Sequence, residues 1–282
     1  MIKNTFLALL SSLIIILATV SCNDNLEAEL PSYIHIDSFL FTENESEPGV
    51  NENITDAWIS MNGQVIGVFE IPSTIPILSV GDQSFDIYPG IKVNGISGTR
   101  AQYPFYKKYT TSETLSLLET ITIEPTTSYK DGTSFLFKTQ GQFEIDGTML
   151  EKALISDTSA IIQEDIVFQG SRAAAIYLDE NNTYFDIRNI EELNLETNTF
   201  LELNFKSNIS FNIGIVIKNN IEEKQEIIQI YPSENWKKIY LDLSTIISMG
   251  NSLSTFKIYL DGNYDSTQEL NAIYIDNLKL VY

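Results

Sequence analysis

Apolar residues in this chain recur at every second position in short runs, and after residue 30 no long segment shows the helical spacing of three to four. Phe200-Leu-Glu-Leu-Asn-Phe-Lys206 puts Leu201, Leu203 and Phe205 on one side, and Phe211, Ile213, Ile215 and Ile217 repeat the pattern. Trp236 to Leu243, Phe256 to Leu260 and a closing run from Ala272 to Tyr282 follow. A period of two is that of a pleated strand with one buried face. Gly, Asn, Asp and Pro bound each run, so the chain reads as all-β, built from packed sheets. Eight or so strands in about 140 residues suit a jelly roll for the second half.

The first half has its own punctuation. Ala57 to Met61, then Asn62-Gly63, then Gln64 to Phe69 is a two-residue hairpin, because Asn-Gly supplies the two positive-φ positions of a type I′ turn. Pro72 and Pro76 predict an extended connection. Gln83 to Tyr88 reads as a strand stopping before Pro89-Gly90, and Thr120 to Glu124 closes the series before Pro125. The expected organisation is 1–21 as a signal, 22–31 as a flexible tether, 32–137 as one β-sandwich and 139–282 as a second.

Composition narrows the function. The chain has 282 residues, 17 Lys plus Arg against 38 Asp plus Glu, and a formal net charge of −21. That charge opposes contact with a phosphate backbone, so no nucleic-acid partner is expected. Apolar residues make up 43%, enough for a folded chain. One Cys and one His leave no disulfide framework, no multi-cysteine metal site and little room for histidine catalysis.

The N-terminus carries the address. Met1 to Thr5 holds a single base, Lys3, and Phe6 to Val20 is mostly apolar, shorter than the about 20 residues a spanning helix needs. A basic start, an apolar centre and small residues at the end make a secretory signal. It stops at Thr19-Val20-Ser21-Cys22, which resembles the lipobox of bacterial lipoproteins, with Thr19 where Leu is commoner. The resemblance implies that Cys22 becomes the acylated N-terminus. Two acyl chains suffice for stable anchoring, so the membrane is an expected partner. Asp24 and Glu27 fit loosely the acidic export signal of Bacteroidota lipoproteins. The expected location is the outer membrane, with the body facing the periplasm or the cell surface.

Two further resemblances concern the sandwiches. Asp56 to Gly67, with Ile75-Pro-Ile-Leu78, Gly81 to Ile87 and Pro89-Gly90, resembles the Ig-like and PEGA-type modules of bacterial surface proteins. Arg100 to Tyr106 extends a pattern similar to that of uncharacterised Bacteroidota lipoproteins. In the second half, Phe143-Glu-Ile-Asp-Gly147, Gly170 to Ile176, Asn235 to Leu243 and Ile273 to Leu280 resemble the galactose-binding-like jelly rolls that serve as carbohydrate-binding modules. That resemblance implies a structural calcium held by one acid of the first strand and one of the last, here Glu144 and Asp276. Alternation along the last strand sets Asp276 on one face with Tyr274, Leu278 and Leu280, where a charge needs a partner or a cation.

Other constellations have plainer readings. Asp261-Gly-Asn-Tyr-Asp265 alternates acids, but Ser266 and Ala272 stand where an EF-hand needs Gly and Glu, so it reads as an Asp-Gly turn. Glu144-Ile-Asp146 lacks the register of a glycosidase pair, and His35 lies on an opening strand with no Gly-x-Ser-x-Gly motif anywhere. Trp236 is expected in the core. Tyr177, Tyr184 and Tyr264 flank polar loops and are the candidate ligand-stacking residues. Tyr103-Pro-Phe-Tyr-Lys-Lys-Tyr109 is either an interaction patch or a strand packed against the neighbouring half. The expectation is a non-catalytic, lipid-anchored envelope protein that binds a glycan or surface polymer through its jelly roll, with the first sandwich as spacer or docking unit. The alternative is an assembly lipoprotein whose sandwiches contact other envelope proteins.

Overall fold

Asn62 and Gly63 adopt φ of 52° and 79°, and Met61 pairs with Gln64 across them, so the hairpin forms as its turn residues dictate. The computed structural model describes residues 30–42 and 52–282. The signal, Cys22 and the tether as far as residue 29 lie outside the described residues. Among the described residues helix amounts to one 3₁₀ turn, Gln140–Gln142, and one α-helical turn, α1 (Ser244–Ile247). The remaining regular secondary structure is strand, as alternation requires.

The first half contains β1 (Ser32–Ile36), β2 (Leu40–Phe41), β3 (Asp56–Met61), β4 (Gln64–Glu70), β5 (Ser73–Ile77), β6 (Gly81–Lys92), β7 (Arg100–Gln102), β8 (Tyr109–Leu115), β9 (Thr120–Thr122) and β10 (Thr126–Thr127). β4-β3-β6 form one sheet, and the far edge of β6 is shared by β8 and β7. Facing it is β5-β1-β9, in which β1 and β9 run parallel. Ile34 and Ile36, Ala57 and Ile59, Ile75 and Ile77, and Phe85 and Ile87 interdigitate between the sheets. This is a β-sandwich core.

Two proline expectations need correction. Pro76 lies inside β5, opposite Tyr33, so the segment after Pro72 is strand as well as connection. β6 does not stop at Tyr88 but continues through Pro89-Gly90 to Lys92. Its partner β8 ends opposite Ile87 and β7 begins opposite Gly90. Pro89 occupies the gap between them, where no N–H donor is asked for.

The second half contains β11 (Phe135–Leu136), β12 (Leu150–Lys152), β13 (Ile161–Gln163), β14 (Ala173–Leu178), β15 (Tyr184–Asn189), β16 (Phe200–Ser207), β17 (Phe211–Lys218), β18 (Glu222–Ile230), β19 (Ser233–Asp242), β20 (Thr255–Asn263) and β21 (Asn271–Val281). One antiparallel sheet runs β12-β15-β20-β17-β18, and the other β13-β14-β21-β16-β19. β11 also pairs with the end of β21, so Phe135 and Leu136, which precede the boundary expected at 137, hydrogen-bond into the second half. The core between the sheets includes Phe185, Ile187, Leu201, Leu203, Phe211, Ile213, Ile258, Leu260, Ile273 and Ile275. It is a jelly-roll sandwich.

The last strand departs from simple alternation. Asn204 pairs with Asp276 but Glu202 pairs with Lys279, so β21 carries an extra residue between them, at the positive-φ Asn277. A bulge switches the side chains that follow to the other face. Ile273 and Ile275 lie in the core before it, Leu278 and Leu280 after it. Asp276 therefore does not share a face with Leu278 and Leu280; with Tyr274 it is on the outer side of the sheet. Trp236 is also on that outer side, with Phe168 at 5.7 Å between ring centroids, and not in the main core. Asp261-Gly-Asn263 is the end of β20 and not a turn.

The two halves meet over one end of that same outer face. Tyr103, Phe105, Tyr106 and Tyr129 of the first half bury against Phe200, Tyr240 and Val281 of the second. The aromatic segment from Tyr103 thus packs against the neighbouring half. At its centre Glu202, fully buried on β16, accepts hydrogen bonds from the hydroxyls of Tyr103 and Tyr129. Its carboxylate also pairs with Lys238 at 2.8 Å and Lys279 at 3.6 Å. Lys238 pairs in addition with Glu52, and Tyr106 and Tyr240 join hydroxyls at 2.8 Å. Burial, and then the Glu202 carboxylate, holds Tyr103 and Tyr240 well above the ordinary tyrosine range, so these hydroxyls stay protonated donors.

Candidate functional site

Alternation along β15 sends Phe185 and Ile187 inward and leaves Tyr184, Asp186 and Arg188 on the outer face of the five-stranded sheet. β20 does the same with Ile258 and Leu260, presenting Lys257, Tyr259 and Asp261. The register then assembles rows across the sheet. Glu151, Arg188, Tyr259, Gly214 and Glu226 stand side by side in one; Asp186, Asp261, Asn212 and Gln229 stand in the next.

These side chains form one connected array. Arg188 grips Asp186 with two bonds, Nε to Oδ1 at 2.9 Å and Nη2 to Oδ2 at 3.0 Å, and reaches Glu222 with Nη1 at 3.0 Å. Such a fork is the strong geometry for an arginine and a carboxylate. Lys224 donates to Asp186 at 3.1 Å and to Asp261, with its ammonium 4.0 Å from the centre of the Tyr259 ring. Asn212 donates its amide N–H to Asp261 Oδ1 at 3.0 Å, and the Tyr184 hydroxyl donates to Asp261 Oδ2 at 3.4 Å. The amide oxygen of Asn212 is buried and has no partner among the described residues.

Gly214 belongs to the array for a steric reason. A Cβ there would come within 2.5 Å of the Tyr259 ring and 2.3 Å of the Gln225 carbonyl oxygen. Only glycine lets the ring lie over β17. Burial pushes Tyr259 up to about 12, with the Asp261 carboxylate adding to it. Burial also acts to raise Asp186, but hydrogen bonds from Arg188 and Lys224 outweigh it and leave the carboxyl below its usual range. Burial opposes the charge on Lys224, and its bonds to Asp261 and Asp186 more than restore it. Asp186, Arg188 and Lys224 therefore keep their charges at neutral pH, and both cations are already committed to acids.

The three expected stacking tyrosines do not converge. Tyr184 belongs to this face. Tyr177 lies on the outer side of the other sheet, edge-on to Tyr274 at 6.0 Å. Tyr264 packs against the margin of the core. The sequence reading missed Asp186, Arg188, Asn212, Lys224, Tyr259 and Asp261. Tyr184-Phe-Asp-Ile-Arg188 and Lys257-Ile-Tyr-Leu-Asp261 did carry the alternation that places them outward.

Glu144 and Asp276 do approach a common loop. Asp276, fully buried, accepts from the backbone N–H groups of Phe168 at 3.3 Å, Gln169 at 3.2 Å and Asn277 at 2.8 Å. Glu144 accepts from the N–H of Ser171 at 2.8 Å and of Arg172 at 2.9 Å, and from the Ser171 hydroxyl at 2.6 Å. Gly170, at φ of 74°, lets the loop wrap Glu144, since a Cβ there would fall 2.3 Å from its Oε1. Burial pushes Asp276 up to about 7, backbone N–H groups work against that, and the charge of Glu144 adds to it. No base pairs with Asp276 among the described residues; Arg172 turns instead to Asp146 and Glu164. No cluster of three or more carboxylate, His or Cys groups suited to a metal occurs among the described residues. The charge there suits a cation, and two carboxylates are the side-chain donors on hand.

No protein-family model matches the chain, and no curated protein matches it. Solved structures similar to it include a family 29 carbohydrate-binding module complexed with cellulohexaose, at 14% identity over 54% of this chain and 93% of that one, with a TM-score of 0.36. A xylan-binding domain of family 22 matches at 14% identity over 50% and 90% of the two chains, with a TM-score of 0.33. A family 61 module in complex with β-1,4-galactotriose matches at 15% identity over 51% and 92%, with a TM-score of 0.31.

Proposed function

We propose that the chain is a non-catalytic glycan-binding protein of the cell envelope and that the outer face of its five-stranded sheet holds the sugar. The observation that carries this reading is the array from Tyr184 to Asp261 around the Tyr259 ring. A sugar ring presents apolar C–H faces and hydroxyls that both donate and accept. The array offers part of that complement at its surface: the half-buried Tyr184 ring, the Glu222 and Asp261 carboxylates and the Lys224 ammonium reach solvent, over a buried layer of Asp186, the Asn212 amide oxygen and the Tyr259 ring. Because Arg188 and Lys224 are already neutralised, an acidic sugar gains no free cation, and the face favours a neutral glycan.

The address belongs to the same reading. Cys22 carries the lipid anchor, the body stands at the outer membrane, and the first sandwich, with its Ig-like strand pattern, acts as a spacer. No described helix is long and apolar enough to cross a membrane. A calcium ion shared by Glu144 and Asp276 would neutralise the buried carboxylate and pin the 168–172 loop.

A glycan array with the detergent-solubilised chain tests the binding role. A neutral polysaccharide is expected to bind, and Tyr184→Ala to weaken it about tenfold, which corresponds to about 1.4 kcal/mol. Tyr177→Ala, on the opposite sheet, is expected to leave the affinity unchanged. Uniform absence of binding, or equal affinity for wild type and Tyr184→Ala, would overturn the assignment in favour of an assembly role.

A further inference from the structure

Exposed apolar side chains gather at the end of the first half where the chain enters its fold: Leu30, Val65, Leu78, Val80, Leu117 and Leu118. Bonds between segments hold them together. Leu118 N–H donates to the Pro31 carbonyl at 2.9 Å, and the Ser32 hydroxyl to the Ser79 carbonyl at 2.8 Å. Gly81 pairs with Leu115, while Asn62 bonds Gln83 at 2.7 Å and Gln83 bonds the Val80 carbonyl at 2.8 Å. Three connections of the sandwich and the entering chain thus close one tip.

Two features set this tip apart from ordinary surface. Soluble proteins scatter exposed apolar residues singly, and a contiguous group marks a contact site. Leu118 also has φ of 62°, a conformation bulky L residues avoid, while standing 61% exposed. Neither the core nor water rewards that placement. The four segments contain no Lys or Arg, so the partner is recognised by apolar surface and not by negative charge.

Chain position selects the occupant. Seven residues, and so eight steps along the chain, separate Cys22 from Leu30, a reach of at most about 28 Å even when fully extended. The tip is then the part of the fold that an anchor at Cys22 holds nearest the bilayer. We infer that the tip rests in the interfacial layer of the membrane, its leucines and valines among the lipid headgroups and upper acyl chains; this rests on the lipid-anchor reading of Cys22. The twelve residues of β6 run from the tip to the contact with the second half, a span of roughly 40 Å that puts the second half at the end of the first sandwich away from the tip.

The test uses the full chain, extracted in detergent and reconstituted in phosphatidylcholine vesicles. An acylated Cys22 leaves no native thiol, so Leu117→Cys, Leu78→Cys and, in the second half, Leu154→Cys each accept one environment-sensitive dye. Spin-labelled phosphatidylcholine is expected to quench the dyes at 117 and 78 about twofold or more, and to leave the dye at 154 unchanged. Equal quenching at all three sites, with acylation verified by intact mass, would overturn the docking while leaving the anchor in place. An unmodified Cys22 in the intact mass would overturn the anchor, and the docking with it. Tip dyes shielded from aqueous iodide but not quenched by the lipid label would make the tip a protein contact and overturn the proposal.

Discussion

Glu202→Ala will destabilise the protein by about 3–5 kcal/mol, the usual effect of removing one partner from a buried ion pair. The carboxylate is fully buried and serves two tyrosine hydroxyls and two lysines at once. Its loss leaves Lys279 without its paired acid and Tyr103 and Tyr129 without acceptors, all within a desolvated aromatic cluster. Lys238 keeps Glu52, which limits the damage. Glu202→Gln retains one acceptor oxygen for the hydroxyls but not the charge, so its loss will be intermediate. Urea midpoints followed by tryptophan fluorescence read the effect. A loss below about 1 kcal/mol for Glu202→Ala would show that the junction between the halves does not depend on this carboxylate.

The second large effect is a pH dependence of unusual sign. Burial raises the Asp276 carboxyl to about 7 in the folded chain. In the unfolded chain an aspartate titrates near 3.9, so between these values the folded state binds the extra proton. Stability therefore falls as pH rises through that interval, by about 4 kcal/mol for about three pKa units, and is level above it. Other acids whose folded pKa values are lowered, such as Glu144 and Asp186, act oppositely but at lower pH. The window from about pH 5 to about pH 7 belongs to Asp276. Denaturation in chelator across that window will show the decline, and Asp276→Asn, which does not titrate, will flatten it. Calcium added at about pH 8 will raise the stability of the wild type if Glu144 and Asp276 share an ion. A flat wild-type profile would refute the titration, and no response to calcium would remove the metal from the functional reading.

Much of this architecture was legible as alternation. Leu201, Leu203 and Phe205, and the Ile213 to Ile217 series, lie in the core where a period of two places them. Alternation reports the side of a sheet and not what covers that side. Glu202, Asn204 and Lys206 were readable as outward, yet Glu202 is fully buried because the other half lies over it. The bulge at Asn277 escaped for a different reason: one inserted residue moves Leu278 and Leu280 to the face opposite Asp276 without altering the run of apolar letters. The charged array escaped because its members come from β15, β17, β18 and β20, and only strand pairing makes neighbours of Arg188 and Tyr259. Tyr184 was found as an isolated aromatic; its partners were not.

The way β1 enters the first sandwich has a mechanical consequence. Ser32 starts the strand at the tip, and β1 is clamped on one side by β5 and on the other by β9. A pull on the N-terminal end of β1, opposed by a ligand held on the second half, runs along the strand axis. The antiparallel bonds to β5 lie across that axis, so the load meets them in shear, all at once, and does not peel them in turn. The Glu202 junction carries the same tension onward into the second half. A strand clamped in this way resists a pull along its axis more strongly than one that is peeled from a sheet edge bond by bond.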